Sequence, residues 1–198
     1  MEAQREELGG ERCHLHATDL ELVRRAGRGE GGAFDELVDR HARDLYRLAF
    51  SLVGNAVDAE DVTQETLVGA FRQLQGFEAR SSVKTWLIRI LVRQAARCHR
   101  SRWRQRMVPL DRVAETPKTR VTRSGAASSE SKSDIRMDVQ EVLGALSPDH
   151  REVIALRELQ GMSYKEMAEV LGVPSGTVES RLFRARQELK ERLKDYLP

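Results

Sequence analysis

Cysteine is nearly absent from this 198-residue chain: Cys13 and Cys98 are the only two. They are too far apart and too differently placed to imply a disulfide framework, so a reducing, cytoplasmic setting is expected. Long hydrophobic runs are missing as well. The most apolar stretch, Leu87 to Val92, is broken by Arg89, and no segment is expected to span a membrane. Glu2, Glu6, Glu7 and Glu11 fill the place of an apolar export signal, and none is expected. No paired serine and histidine, glycine-rich phosphate loop or HExxH occurs, so no catalytic constellation and no enzyme is expected. Cys13, His14 and His16 cluster near the N-terminus without a fourth ligand. Neither a metal nor a cofactor is assigned to them.

Aromatics make up only 5% of the residues, charged residues 32%. β-branched runs are short and helical periodicity is long, so an all-α protein is expected. The formal net charge of +2 is uninformative, but its distribution is not. From Val53 to Ala70 the charged residues are all acidic: Asp58, Glu60, Asp61 and Glu65. From Arg97 to Arg123 basic residues dominate, opposed only by Asp111 and Glu115. An acidic surface and a basic one imply two kinds of partner.

The pattern divides the chain into two small helical domains. Residues 1–17 are polar and aperiodic and are expected to be a disordered tail. Thr18 with Glu21 opens a short helix ending near Gly27. Helices are then expected over Ala33–Val53, Asp58–Leu74 and Ser82–Arg106, closing a first domain at 18–107. Residues 108–136 are rich in Thr, Ser, Lys and Arg with almost no apolar pattern, and are expected to be a flexible linker. Its 25 residues from 110 to 134 could span up to ~85 Å, comparable to roughly 25 base pairs of duplex. Helical pattern resumes in a second domain, 137–198, where Ser147-Pro148 marks a helix start.

Within that second domain, Ser163 to Arg186 has the signature of a helix-turn-helix. Ser163 with Glu166 is a capping box, and Met167, Ala168 and Leu171 make one apolar face. Gly172 stops the helix where a left-handed residue is wanted. Pro174-Ser175 starts a second helix whose inner face is Val178, Leu182 and Ala185. It sends Ser180, Arg181, Arg184 and Arg186 outward, a geometry suited to the major groove. The same pattern also suits an ordinary helical hairpin with a solvated basic face.

Two further features carry chemistry. On the helix Ser82–Arg106, Arg89, Arg93, Arg97, Arg100 and Arg104 fall in one stripe opposite Leu87, Ile88, Leu91, Ala95 and Cys98. A row of guanidiniums suits the tracking of phosphates. Trp86 lies on the stripe side, where it either stacks on an exposed base or fills the junction with the preceding helix. Asp58, Glu60, Asp61, Gln64 and Glu65 form an acidic helix start. The helix dipole favours carboxylates there, and a docking surface for a basic partner is the functional alternative.

The segments FDELVDRHARDLYRLAFSLVGNAVDAEDVTQETLVGAF, TWLIRI and LSPDHREVIALRELQGMSYKEMAEVLGVPSGTVESRLFRAR together resemble the extracytoplasmic-function group of bacterial sigma-70-type sigma factors. The resemblance implies a factor that directs core RNA polymerase to specific promoters in response to a stress or signal. The first domain would be sigma region two and the second region four. Asp58, Asp61, Gln64 and Glu65 would then face the clamp helices of the polymerase. Ser81, Ser82, Lys84, Trp86, Arg89, Arg93, Arg97 and Arg100 would serve the minus-ten element, the loop from Glu78 to Lys84 taking an unstacked base. Arg157, Ser175, Thr177, Glu179, Ser180, Arg181, Phe183, Arg184 and Arg186 would serve the minus-thirty-five element. An anti-sigma protein is a further partner the resemblance implies. Two positions depart from the pattern: Arg93 stands where many members have asparagine, and Glu179 where some carry a basic residue. The competing expectation is a conventional helix-turn-helix regulator that acts without being a polymerase subunit.

Overall fold

The structure, a computed structural model, describes residues 18–107 and 140–194, with no side-chain detail over 103–107. The expected tail and linker, the Cys13/His14/His16 cluster and the Arg104 side chain lie outside the described parts. Every described regular element is helical, and no described helix is long and apolar enough to cross a membrane.

In the first half, α1 (Asp19–Gly27) starts where the Thr18 hydroxyl accepts from the Glu21 backbone N–H at 3.3 Å. Asp19 fastens α1 to the next helix by accepting from Arg40 at 3.0 Å and meeting His41 Nε2 at 2.7 Å. Of the stripe that periodicity predicts for α2 (Ala33–Val53), Leu37, Leu45, Leu48, Ala49 and Leu52 are buried, whereas Phe34 and Val38 are half-buried. Helix α3 (Ala56–Gln73) begins two residues before its expected start. The cause is local: Asn55 Oδ1 accepts from the Asp58 N–H at 3.0 Å and caps the helix from further upstream. Its inner face includes Thr63 and Thr66, whose hydroxyls return to the carbonyls of Ala59 and Val62 at 2.7 and 2.6 Å. A 3₁₀ turn, Leu74–Gly76, follows.

Helix α4 (Val83–Met107) is capped by Ser82, whose hydroxyl accepts from the Thr85 N–H at 3.0 Å. It lies close against α3 at Gly69, where a Cβ would stand 3.3 Å from Ile90 Cγ2. Burial along α4 is wider than expected. Leu87, Ile88, Leu91 and Ala95 are buried as predicted, but so are Val83, Trp86, Ile90 and Val92.

Phe77 covers Trp86 and α3 meets Ile90 at Gly69, and the second half adds a further helix against α4. Helix α5 spans residues 140–145, and α6 (Pro148–Ile154) opens on Ser147, which accepts from the His150 N–H at 3.3 Å. It runs on into a π-helical turn, Ala155–Leu159. Helix α7 (Tyr164–Leu171) carries the complete Ser163/Glu166 capping box, and Gly172 closes it at φ 67°. Its apolar face differs by a residue from the expectation: Met167 and Val170 are buried, with Ala168 and Leu171 only partly covered. Helix α8 (Ser175–Leu193) buries Val178, Leu182 and Ala185 as read from its spacing. Helix α7 packs on α4 as well as on α8, so the two halves share one continuous apolar cluster.

Candidate nucleic-acid interface

Three surfaces gather the predicted functional residues. The first is the outer face of α3. Asp61, Gln64 and Glu65 are exposed, as a docking surface requires. Asp58 is not. Its side chain is 14% exposed, meets Arg102 Nε at 2.7 Å and accepts from Asn55 Nδ2 at 3.0 Å. The capping turn that sets the helix start turns Asp58 inward, and this corrects its expected outward position. Sequence reasoning missed the apolar members of this face: Val57, Val68 and Phe71 are 69%, 43% and 58% exposed. With Asp61 and Gln64 they recur at three- and four-residue steps, which places them on one helical stripe. Phe71 is held there by an edge-on contact with Phe34.

The second surface is an open cleft of about 270 Å³ where the loop after the 3₁₀ turn meets α4. Phe77, Glu78, Ala79, Arg80, Ser81, Trp86, Arg89 and Arg93 line it. Trp86 adopts the junction role: it is 8% exposed and packs on Phe77 with ring centroids 4.9 Å apart. It therefore offers the cleft part of its surface and no free face for stacking. Ala79 holds φ 55°, the left-handed region, without being glycine. Non-glycine residues there carry strain of about 1 kcal/mol or more, and such strain concentrates at functional loops.

The arginine stripe is not uniform. Arg93, Arg97 and Arg100 are exposed. Arg93 faces the cleft, whereas Arg97 lines a groove between α3 and α4 beside Asp61 and Glu65. Arg89 is paired with Glu169 of α7, and its Nε is buried without a partner. The Ser82 hydroxyl is committed to Thr85, and Lys84 Nζ donates to the Gln160 carbonyl at 3.2 Å. In the α3–α4 groove, burial and then the neighbouring Asp58 push the Cys98 thiol up, which keeps it protonated and unreactive.

The third surface is the outer side of α8. Glu179, Phe183 and Arg184 point out, Phe183 being 66% exposed, and neither Glu179 nor Arg184 pairs with a described residue. Ser175 is exposed and Thr177 half-buried. Other predicted contacts are engaged inside the fold. Arg157 donates to the Met162 carbonyl at 2.7 Å and lies 5.4 Å above the Tyr164 ring. Arg181 meets Asp149 at 2.8 Å, Arg186 meets Glu158 at 2.7 Å, and Ser180 bonds the Thr177 carbonyl at 3.0 Å. Beneath Arg181, burial and the nearby Asp149 push the Glu152 carboxyl up to about 7, with Arg181 opposing the shift.

Among the described residues, no group of three or more His, Cys, Asp or Glu side chains is placed to hold a metal. A strained cleft on one half and an outward helix-turn-helix face on the other gather the residues expected to meet nucleic acid. Sigma-70 region 2 matches residues 37–105, and Sigma-70 region 4 matches residues 136–189. The RNA polymerase sigma-H factor of Pseudomonas aeruginosa is 34% identical over 90% of this chain and 95% of its own. The ECF RNA polymerase sigma-E factor of Escherichia coli K12 is 33% identical over 89% and 94%. The ECF RNA polymerase sigma factor SigE of Mycolicibacterium smegmatis is 39% identical over 81% of this chain, which spans 62% of that longer relative. Two solved structures are similar over both halves. CnrH in complex with the cytosolic domain of CnrY is 29% identical, with a TM-score of 0.68, over 90% of this chain and 99% of that one. RpoE in complex with the anti-sigma factor NepR from Bartonella quintana is 32% identical, with a TM-score of 0.63, over 81% and 96%. The chain belongs to the extracytoplasmic-function group of sigma-70 family RNA polymerase sigma factors. Sigma factors are transcription-initiation factors rather than enzymes.

Proposed function

We propose that residues 18–107 dock on core RNA polymerase and open the minus-ten element, while residues 137–198 read the minus-thirty-five element, in the cytoplasm and without catalysis of their own. The observation that carries this reading is the pairing, on one chain, of a mixed acidic and apolar α3 face with an outward α8. The stripe of Val57, Asp61, Gln64, Glu65, Val68 and Phe71 would complement a partner helix that presents basic and apolar side chains together. The core carboxylates of the site are Asp61 and Glu65, with Asp58 acting inside the fold to hold Asn55 and Arg102. The cleft at Ala79, Ser81 and Arg93 is the natural seat for one extruded base, with Phe77 and Trp86 as its wall. Arg97 and Arg100 would follow the adjoining phosphates.

On α8, Glu179, Phe183 and Arg184 are the base-facing residues and Ser175 a backbone contact. Because CnrH and RpoE were solved with CnrY and NepR, an anti-sigma partner is proposed here too. The conventional-regulator alternative is not favoured, since both halves match sigma-70 models. Run-off transcription tests the proposal: purified chain plus core polymerase should give start-site-specific transcripts on promoters mapped in the source cell. Transcription that stays at the level of core polymerase alone would overturn it.

A further inference from the structure

Arg181 of α8 is shared by two carboxylates of α6. Asp149 Oδ2 holds its Nη2 at 2.8 Å, at the solvent edge where Asp149 is 58% exposed. Glu152 stands three residues further along α6, and that spacing sets the two carboxylates side by side on the helix surface. Helix α6 packs on α8, and Glu152 is half-buried there. The charged groups that act on it are Asp149 of its own helix and Arg181 of α8. Among the described residues none from α2 or the π-helical turn, which also pack on α6, does so. His150, between the two carboxylates in sequence, turns instead to Glu188 at 2.8 Å.

Two carboxylates and one guanidinium leave a surplus negative charge in a partly desolvated place. Burial and then Asp149 raise the Glu152 carboxyl to about 7, and Arg181 alone opposes them. A phosphate that takes Arg181 removes this opposition and brings a further negative charge, so the carboxyl is raised again. By linkage, the DNA-bound chain then holds more proton at Glu152 than the free chain. Binding therefore strengthens as pH falls, and levels off once the free carboxyl is protonated. Arg186 lacks this arrangement, because a single described carboxylate, Glu158, meets it at 2.7 Å.

We propose that transfer of Arg181 from α6 to a promoter phosphate is coupled to proton uptake by Glu152, so that the α8 face grips DNA more tightly in mild acid. Glu152 acts through Arg181 and is a positioning residue. The inference rests on the minus-thirty-five reading above.

Holoenzyme formed from the full-length chain and core polymerase, titrated at pH 6 and pH 8.5 with a duplex promoter fragment mapped in the source cell, tests it. Glu152→Gln keeps the side-chain shape and carries no charge at either pH, so the ratio of wild-type to variant Kd isolates this one group. The ratio should be about fourfold at pH 8.5, close to the fivefold scale of a partly exposed ion pair, and about one at pH 6. In an Arg181→Gln background it should be about one at both. Glu158→Gln, which frees Arg186, should change Kd by the same factor at both pH values. Calorimetry of the wild-type holoenzyme in buffers of different ionisation heat reads the uptake without touching Glu152. A fraction of a proton should be taken up at pH 7.5 and lost in Arg181→Gln. An equal Glu152→Gln ratio at both pH values, a pH-dependent ratio that survives without Arg181, or uptake unchanged by Arg181→Gln would each overturn the coupling. Wild-type holoenzyme that binds a fragment with a scrambled minus-thirty-five element equally well sinks the minus-thirty-five reading itself. Specific binding with a constant ratio sinks the coupling alone.

Discussion

Replacing Ser163 by alanine should destabilise the helix-turn-helix by about 1 kcal/mol at neutral pH, and the loss should fade in acid. The geometry sets both parts. Ser163 N–H donates to Glu166 Oε2 at 2.8 Å, its hydroxyl donates to the same oxygen at 2.7 Å, and the Glu166 N–H donates back to that hydroxyl at 3.3 Å. Alanine removes the two hydroxyl bonds and leaves the backbone one. N-cap losses of this kind cost about 0.5–2 kcal/mol, and for a cooperative unit of this size about 1 kcal/mol lowers Tm by roughly 2–4 °C. The Ser163 backbone N–H, then its hydroxyl, hold the Glu166 carboxyl below its ordinary 4.5, with burial opposing and with smaller help from Thr85 and Lys84. A depressed carboxyl contributes stability that is fully present above its unfolded pKa and is lost as pH falls through the folded one. The difference between wild type and Ser163→Ala should therefore be full at pH 7 and shrink below about pH 4. Guanidinium denaturation at both pH values, with the slope m unchanged, reads it. A difference below about 0.2 kcal/mol at pH 7, under half the smallest ordinary cap, would refute the reasoning. So would an equal loss at both pH values.

Other outcomes follow from particular residues. Ala79→Gly should raise stability by about 1 kcal/mol in thermal unfolding, because φ 55° strains alanine and not glycine. If the loop's strain serves the cleft, promoter opening should weaken at the same time, as permanganate footprinting would show. Asp61→Arg should weaken core polymerase binding at least tenfold in a pull-down or titration while the circular dichroism stays unchanged, since Asp61 is exposed and bonds no described residue. Arg184→Ala should weaken promoter binding, lowering the salt slope if it contacts phosphate and relaxing one base position if it contacts a base. Glu179→Gln, assayed by selection from randomised minus-thirty-five duplexes, should lose preference for cytosine at one position, because a carboxylate accepts from the cytosine amino group and repels phosphate. Unchanged selection would remove Glu179 from the reading face.

Local chemistry made much of this molecule visible in its sequence. The capping residues Ser147 and Ser163, the stop at Gly172 and the inner row Val178, Leu182 and Ala185 each depend on residues within four positions, and each lies where spacing puts it. What depends on distant partners was hidden. Helical periodicity assigns Ile90 to no face, because its cover comes from α3, where Gly69 lets the two helices approach closely. Ion pairs such as Arg181–Asp149 and Arg186–Glu158 join separate helices, and no pattern along the chain announces them. Val57, Val68 and Phe71 were overlooked for the opposite reason: an apolar residue at helical spacing reads as core unless the neighbouring elements are known to leave it bare. Asp58 went astray by one capping turn.

The occupied arginines change how the recognition helix should be understood. Arg181 is 30% and Arg186 49% exposed, and their carboxylate partners are more than half exposed, so each pair is worth at most about 1 kcal/mol. A phosphate that forks onto the same guanidinium can take it over at little loss, since the exchange replaces one charge-assisted contact by another. In the free chain Asp149 and Glu158 each hold one of the two side chains, which limits the rotamer freedom they would lose on binding. Arginines held in that way suit the sequence-independent part of the contact, which fixes register on the duplex. On the proposed reading, discrimination falls to the residues that no described side chain restrains, Glu179 and Arg184, with Phe183 between them. Two of these have a polar group and one an apolar ring, enough to read hydrogen-bonding edges and a thymine methyl in one turn of helix. Because an ionised Glu179 can accept but not donate, a base that it reads, as proposed, must present a donor. That requirement comes from the side chain rather than from any relative.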